Sequence, residues 1–314
     1  MFHVNENYQK LPGSYLFSTI AKKVNAYQEA NPDKNIIRLG IGDVTQPLAP
    51  AIIEAMHKAV DDDEERIIAM GAQPKRCTIT GNTKYDQTYA EVSEEERAAL
   101  RKEFRFDGKG PIIVAGSTHS GEEEIVLRTF GEILKKYPKA RLLLAVREIT
   151  RAPSVKFAIK HHGYSVLRRS KMGTEEDDGT SPQVVILDTI GELGRLYSLA
   201  DVVFVGGSFV KVGGHNILEP AAHGKPVIVG PYMFNFQEIF ELLESRGVCL
   251  MTKSEHEFKE TLMDLLSHPD TMKRMGEAAL TVVHENQGAT ERNIKAFEQL
   301  VAEAGVKLGG RHES

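Results

Sequence analysis

The amino-acid sequence predicts an α/β protein built on a doubly wound, parallel, Rossmann-like sheet, which a short helical arm precedes. Short runs of apolar, mostly β-branched residues recur between residues 112 and 251, and helix-forming segments separate most of them. Buried parallel strands have this continuous apolar pattern, and helices usually connect them. Glycines follow several of the runs, as at Gly206-Gly207. These turns are expected at the carboxyl ends of the strands, where open α/β sheets bind ligands.

Seven apolar runs are predicted to form the sheet. They span residues 112–114, 142–146, 164–167, 184–187, 202–205, 227–229 and 248–251. Helices are predicted at about 93–104 and 120–136, between Pro153 and Gly163, from Asn216, after Asp270 and after Gly288. Ser120 and Glu123 have the spacing of a capping box, and Pro153 suits a first helical turn, where no intrahelical N–H is needed.

Composition excludes several classes of protein. The 314 residues carry a formal net charge of −5 and no stripe of Lys and Arg, so a nucleic-acid partner is not expected. Cys77 and Cys249 are far apart, which predicts neither a disulfide framework nor a zinc site and fits a reducing cytosol. No apolar run approaches the roughly 18 residues that span a bilayer. The first residues lack the pattern of a secretory signal, so a cytoplasmic location is expected.

The stretch from Asp201 to Pro220 carries most of the functional information. An apolar run ends at Gly206-Gly207, and Gly213-Gly214 then leads into a helix near Asn216. Glycine turns bring backbone N–H groups close to an anion, and a helix N-terminus favours negative charge, although Gly-Gly pairs are also common in plain turns. Glu219 lies one turn into that helix, where a carboxylate suits the hydroxyls of a sugar diol.

Three further clusters are predicted at the same edge of the sheet. His119, in the predicted turn 116–119 that leads into a helix, suits a phosphate or carboxylate, and Arg147 follows a strand end, where its guanidinium suits phosphate or a surface ion pair. The segment from Asp188 to Leu193 is predicted to open another helix. Lys84 is predicted to face the cleft, the alternative being a solvated lysine.

The stretch 201–220 closely resembles the donor-binding half of 3-deoxy-D-manno-octulosonic acid (Kdo) transferases, and the resemblance extends from about Arg66 onward. It implies the C-terminal domain of a GT-B glycosyltransferase of lipopolysaccharide synthesis, with CMP-Kdo as donor, a lipid A precursor as acceptor and no cofactor. Val146 stands where that family has proline. The substrate-binding residues that the resemblance implies are Lys84, His119, Val146, Arg147, Ile190, Gly191, Glu192, Asn216, Ile217, Leu218 and Glu219. In that family the general base is a glutamate of the N-terminal domain, so no catalytic residue is assigned and impaired transfer is expected.

The first sixty residues resemble a different family. The strings 10–17 and 38–48 resemble the N-terminal arm of LL-diaminopimelate aminotransferase, a pyridoxal phosphate (PLP) enzyme in which the positions of Tyr15 and Gly42 contact substrate. An apolar helix face, comprising Ile52, Ile53, Met56 and Val60, predicts that this arm can drive self-association. The predicted division is therefore an arm at 1–60, an acidic linker and connecting segment at 61–109, and a CMP-Kdo-binding domain at 110–314.

Alternative functions stay open at this stage. The chain could be an aminotransferase fragment, or a non-catalytic CMP-binding remnant or fusion, natural or artificial. His161-His162 and the pair His215 and His223 lack ligand spacing, so no metal is assigned. The S-x-x-K match at Ser208 leads into glycines rather than a helix, which favours a chance match. A location at the inner face of the plasma membrane is also compatible with the implied acceptor.

Overall fold

The computed structural model describes residues 78–303, except 88, 90, 107 and 109. The predictions made for the arm, including Tyr15, Gly42 and the apolar face of residues 52–60, lie outside the described residues. So does the acidic run at 61–65.

A seven-stranded sheet forms the centre of the described part, and every pairing within it is parallel. The strands are β1 (Ile112–Thr118), β2 (Arg141–Val146), β3 (Val166–Arg168), β4 (Val184–Leu187), β5 (Val202–Val205), β6 (Val227–Val229) and β7 (Cys249–Met251). Their spatial order is β3-β4-β2-β1-β5-β6-β7. The predicted parallel α/β sheet is therefore confirmed.

Nine α-helices lie within the described ranges. They are α1 (Glu94–Glu103), α2 (Glu122–Lys136), α3 (Ala152–His161), α4 (Leu193–Leu196), α5 (Leu218–Ala222), α6 (Gln237–Ser245), α7 (Glu255–Ser267), α8 (Pro269–Glu285) and α9 (Ala289–Glu303). Helix α1 begins with a complete capping box, in which the Ser93 hydroxyl accepts from Glu96 N–H and the Glu96 carboxylate accepts from Ser93 N–H. None of the described helices is both long and apolar enough to cross a membrane.

The sheet separates two hydrophobic clusters, one on each face. Along β1, Ile112 and Val114 point into one cluster, and Ile113 and Ala115 point into the other. This alternation follows from the two-residue period of a strand, and helices on both faces explain why the whole run is apolar. Phe104 joins the first cluster, so the described part of the connecting segment contributes to the same core.

Two local predictions were wrong. Helix α2 begins at Glu122 behind Gly121, whose φ is 95°, and no side chain caps it. Glu123 does not complete the predicted box with Ser120, because its carboxylate instead accepts a hydrogen bond from the Thr118 hydroxyl (3.0 Å) and pairs with Arg151. Likewise, the segment after β4 becomes helical only at Leu193, since Asp188 turns back to accept from Ser170 and Arg168.

Chain order reverses between β1 and β5. From β1 the chain runs outward through β2, and it later returns past β1 to place β5 on the other side. In doubly wound sheets this reversal opens a crevice at the carboxyl ends of the two strands, where ligands bind. The segments that follow β1, β2, β4 and β5 all start at this edge.

Candidate functional site

A cavity of about 470 Å³ opens at the carboxyl edge of the sheet. Its lining residues come from five segments of the chain and are mostly polar. They are Gln87, Tyr89, Ser117, Arg147, Gly191, Leu193, Gly194, Arg195, Glu219 and His223. A larger groove, of about 970 Å³, lies between α2 and α7, away from the strand ends. Several of its charged groups already pair with each other, as Arg128 does with Glu255, so we place the candidate site at the sheet edge.

The end of β1 is shaped by close packing. A Cβ on Gly116 would lie 2.2 Å from the Tyr197 hydroxyl, so only glycine fits there. Ser117 follows with a φ of 55°, a left-handed conformation that non-glycine residues rarely adopt. Such backbone is concentrated at functional sites, and here it lies in the cavity wall.

The end of β2 supplies one of the two guanidinium groups that line the cavity, the other being Arg195, which pairs with Glu192. The Arg147 N–H donates to the Thr118 carbonyl at 3.0 Å, which anchors the backbone, while the Arg147 side chain is exposed. Within the described ranges, Arg147 forms no ion pair with a carboxylate. The preceding residue, Val146, is only 6% exposed and belongs to the core.

A buried carboxylate fills the turn after β5. Glu122 is fully buried, and its two oxygens accept four backbone N–H bonds, from His119, Gly207, Ser208 and Phe209, at 2.8–3.0 Å. The glycine turn at 206–207 does bring amides together around an anion, as its sequence predicts. The anion is the protein's own glutamate, which ties the end of β1 to the turn after β5.

The side chains of His119 and His215 contact each other close to this buried carboxylate, to which the His119 N–H donates. Their Nε2 atoms are 2.8 Å apart, and the two rings are nearly parallel, with an interplanar angle of 6°. His215 packs against Gly207, where a Cβ would approach the His215 ring to 3.0 Å. Burial, followed by the neighbouring His119 and Arg147, lowers the pKa of His215 to about 4.

Glu219 lies in the cavity wall, and Asn216 holds its carboxylate. The Asn216 amide donates to Glu219 Oε1 at 3.2 Å, and its oxygen accepts from Leu218 N–H at 3.0 Å. Burial raises the pKa of Glu219. Burial, and then the charge of this carboxylate, raises the pKa of Tyr89, which lines the same cavity. Ile217 and Leu218 are fully buried in the core and hold the two polar residues in place.

In the turn after β4, Gly191 borders open space, whereas the Glu192 side chain is engaged in ion pairs. Gly191 has a φ of 86°, and a Cβ placed on it would meet no other atom within 4 Å. Its neighbour Ile190 is 86% exposed. Glu192 instead pairs with Arg169 and Arg195. Hydrogen bonds from Arg169 are the main cause that lowers the pKa of Glu192 to about 2.

Lys84 lies outside the cavity wall. Asn82 caps the short 3₁₀ turn Thr83–Asp86 that carries it, and the Lys84 ammonium sits 5.0 Å from the centre of the Phe236 ring. Gln87 and Tyr89 from the same segment line the cavity instead. The described residues contain no group of three or more potential metal-ligating side chains.

Comparison with known proteins places this arrangement in a family. Residues 115–282, more than half of the chain, match the family described as glycosyl transferases group 1. The chain belongs to this glycosyl transferase family. The matched region runs from the end of β1 to α8 and so includes most of the cavity wall.

Two relatives and one solved structure are informative. The 3-deoxy-D-manno-octulosonic acid transferase of Haemophilus influenzae is 38% identical over 229 residues, which are 73% of this chain and 52% of that protein. The C-terminal CMP-Kdo binding domain of WaaA from Acinetobacter baumannii is 28% identical, with a TM-score of 0.54 over 60% of this chain and 96% of the domain. The LL-diaminopimelate aminotransferase of Agathobacter rectalis is 86% identical, but over only 62 residues, 20% of this chain and 15% of that enzyme. The chain thus spans about half the length of the curated transferase.

Within this glycosyl transferase fold, the structure brings together only part of the predicted set. Arg147, Gly191 and Glu219 line one cavity. Other predicted residues are beside it or engaged elsewhere, as His119 is with His215, Glu192 with arginines and Lys84 with Phe236. Sequence reasoning missed Ser117, Glu122, Tyr89, His215 and His223. His215 adjoins the predicted Asn216, and Ser117 and Glu122 are close to the predicted His119, so closeness in the sequence was the available signal.

Proposed function

We propose that this glycosyl transferase binds a cytidine monophosphate sugar, CMP-Kdo, at the carboxyl edge of its sheet and belongs to lipopolysaccharide synthesis. The observation that carries the proposal is that an exposed Arg147 guanidinium and a half-buried Glu219 carboxylate line the same cavity. A guanidinium binds phosphate oxygens, and a carboxylate accepts from a ribose diol. The Kdo transferase relative and the CMP-Kdo-binding domain support the choice of donor.

Each side of the nucleotide has a proposed partner. Arg147 would hold the single phosphate and stabilise the charge that develops on it as CMP leaves. Glu219, held by Asn216, would accept from the ribose hydroxyls, and Gly191 leaves open space for the base. Val146, Ile217 and Leu218 are at most 6% exposed, so in the proposed set they would support the contacting groups by packing beneath them. Lys84, His119, Ile190 and Glu192 complete the proposed set of donor-binding residues.

The proposed reaction transfers Kdo to a lipid A precursor, with attack of an acceptor hydroxyl on the anomeric carbon and departure of CMP. No residue of the described ranges is proposed as the general base, because the resemblance assigns it to another domain. We keep residues 110–314 as the proposed donor-binding domain, and a lipid acceptor would place it peripherally at the membrane.

Calorimetric titration with CMP tests the proposal. Replacing Glu219 by Ala should weaken CMP binding by roughly 1–3 kcal/mol, the usual effect of losing a hydrogen-bonding group from a charged site. Glu277→Ala, on the exposed surface of α8, is the matched control and should leave the affinity unchanged. Absence of CMP binding by the native chain would overturn the proposal, and unchanged affinity in Glu219→Ala would show that the site is misplaced.

The aminotransferase alternative rests on the short match to the A. rectalis enzyme. A functional aminotransferase site would bind pyridoxal phosphate and give visible absorbance when the cofactor is added. We expect no such band, because that match covers 15% of the enzyme. A stoichiometric absorbance change would favour this alternative.

A further inference from the structure

The two histidines at the β1–β5 reversal form a cluster that the proposed nucleotide contacts do not explain. His119 directly follows β1, His215 follows the glycines after β5, and 96 residues separate them in the sequence. Both side chains are half-buried, and their Nε2 atoms are 2.8 Å apart. At that distance one ring donates its N–H to the bare nitrogen of the other.

This contact limits the charge of the pair. If both Nε2 atoms carried hydrogen, two N–H groups would face each other at hydrogen-bonding distance, so the contact requires at least one bare nitrogen. The surrounding charges also favour a neutral His215. Arg147 approaches from the end of β2, and the carboxylate of Glu122, from α2, is already engaged by four backbone amides. Consistently, the pKa of His215 is lowered to about 4, so its ring is neutral at neutral pH.

We propose that the His119–His215 pair takes up a proton when an anionic oxygen group of the ligand enters the site, so that His215 becomes a cationic ligand contact beside Arg147. This inference rests on the proposed function, in which a nucleotide sugar binds at this edge. An entering anion offsets the positive charge of Arg147 and attracts an imidazolium. It therefore removes part of the electrostatic repulsion that keeps His215 neutral. Ligand binding is thereby coupled to protonation.

The anionic oxygens could belong to the phosphate of the nucleotide or to the carboxylate of an acidic sugar. The shared chemistry is an oxyanion that accepts from an imidazolium N–H. CMP carries only the phosphate, free Kdo only the carboxylate, and cytidine neither. Titration with each of the three therefore distinguishes the sources.

The experiment measures protons directly. Calorimetric titration of the full chain with CMP near pH 6.5, in buffers of different ionisation enthalpy and with EDTA present, gives the number of protons taken up per ligand bound. His215→Gln and His119→Gln keep a polar group near the Nε2 position but cannot titrate. His268→Gln, an exposed histidine beside Asp264, removes one titratable ring far from the site and is the control.

We expect the native chain and His268→Gln to take up more protons than either site variant, by roughly half a proton or more, since one imidazole changes state. The CMP dissociation constants of the site variants should also rise several-fold at pH 6 and differ less from native at pH 8. If phosphate is the anion, the difference in proton uptake between the native chain and the site variants should vanish with cytidine. If carboxylate is the anion, this difference should persist with Kdo.

The outcomes separate this inference from the proposed function. If the native chain binds no CMP, both are overturned. If CMP binds, and the two site variants take up as many protons as the native chain both with CMP and with free Kdo, the pair has no such role while the donor site stands. NMR titration of the native histidine Cε1–H signals avoids any dependence on variant folding. The His215 signal should titrate at higher pH with CMP bound if phosphate is the anion, and with free Kdo bound if carboxylate is; a midpoint unchanged by both ligands would overturn the inference.

Discussion

The buried carboxylate of Glu122 makes a sharp prediction about stability. In Glu122→Gln the side chain keeps its shape, but one of its two acceptor oxygens becomes an NH₂ group. Oε1 accepts from Ser208 and Phe209, and Oε2 accepts from His119 and Gly207. Whichever oxygen is retained, two backbone N–H groups then face a donor instead of an acceptor.

The magnitude follows from those two orphaned donors. A buried polar group without a partner costs about 1–3 kcal/mol, so the variant should lose roughly 2–6 kcal/mol of unfolding free energy. That is a large part of the roughly 5–15 kcal/mol of a typical domain. The control is Glu124→Gln, two residues along the same helix, where the side chain is 45% exposed and contacts Arg128 and His162. Loss of these exposed contacts should cost at most about 1 kcal/mol.

Urea denaturation followed by circular dichroism gives both values from the midpoints and slopes. A loss in Glu122→Gln no larger than that in Glu124→Gln would refute the assignment of Glu122 as the anion that holds the β5 turn. Hydrogen exchange on the native chain is an independent check. The amides of Gly207, Ser208 and Phe209 should be protected, although they lie in a loop, and rapid exchange there would contradict the hydrogen bonds described.

Two further predictions follow from packing and from pH. Gly116→Ala should destabilise the chain by about 1–3 kcal/mol through overpacking against Tyr197, and adding Tyr197→Phe should recover part of that loss in urea denaturation, because the hydroxyl is the nearest clashing group. The folded pKa of Glu192 lies at about 2, below its ordinary value of 4.5, so the stability that its pairing with Arg169 contributes is present above pH 4.5 and is lost as pH falls toward 2. The difference in denaturation midpoint between native and Glu192→Gln should therefore shrink between pH 7 and pH 3, and a constant difference would show that Glu192 acts through packing alone.

The sheet was predictable because its signal is local. Continuous apolar runs mark strands that are buried on both faces, and three of the predicted strands, 184–187, 202–205 and 227–229, have the observed boundaries. The end of β1 was misjudged because Gly116 and Ser117 resemble a turn. In the structure they continue the strand to Thr118, with an irregular register after Ala115.

The candidate site was predictable only where a residue directly follows a strand, as Arg147 does, or lies in a distinctive string, as Glu219 does. Three identical glutamates stand in a row at 122–124. Their roles differ only because each forms hydrogen bonds with different residues in the folded chain. Glu122 accepts from amides 85–87 residues away, whereas Glu124 contacts surface side chains. No helical periodicity encodes such contacts, and the same holds for the pairing of His119 with His215.

The internal anion also determines where a ligand's charge can go. A phosphate entering the turn after β5 would have to displace a carboxylate that holds four backbone hydrogen bonds, each with a charged acceptor. The exposed guanidinium of Arg147 has no such competitor among the described residues, and it opens into the cavity. Glycine-rich turns usually predict an anion at their own amides, but in this chain Glu122 already occupies them. Under the proposed function, the donor phosphate is therefore expected between Arg147 and the histidine pair, with Glu219 in the wall of the same cavity to receive the sugar of the nucleotide.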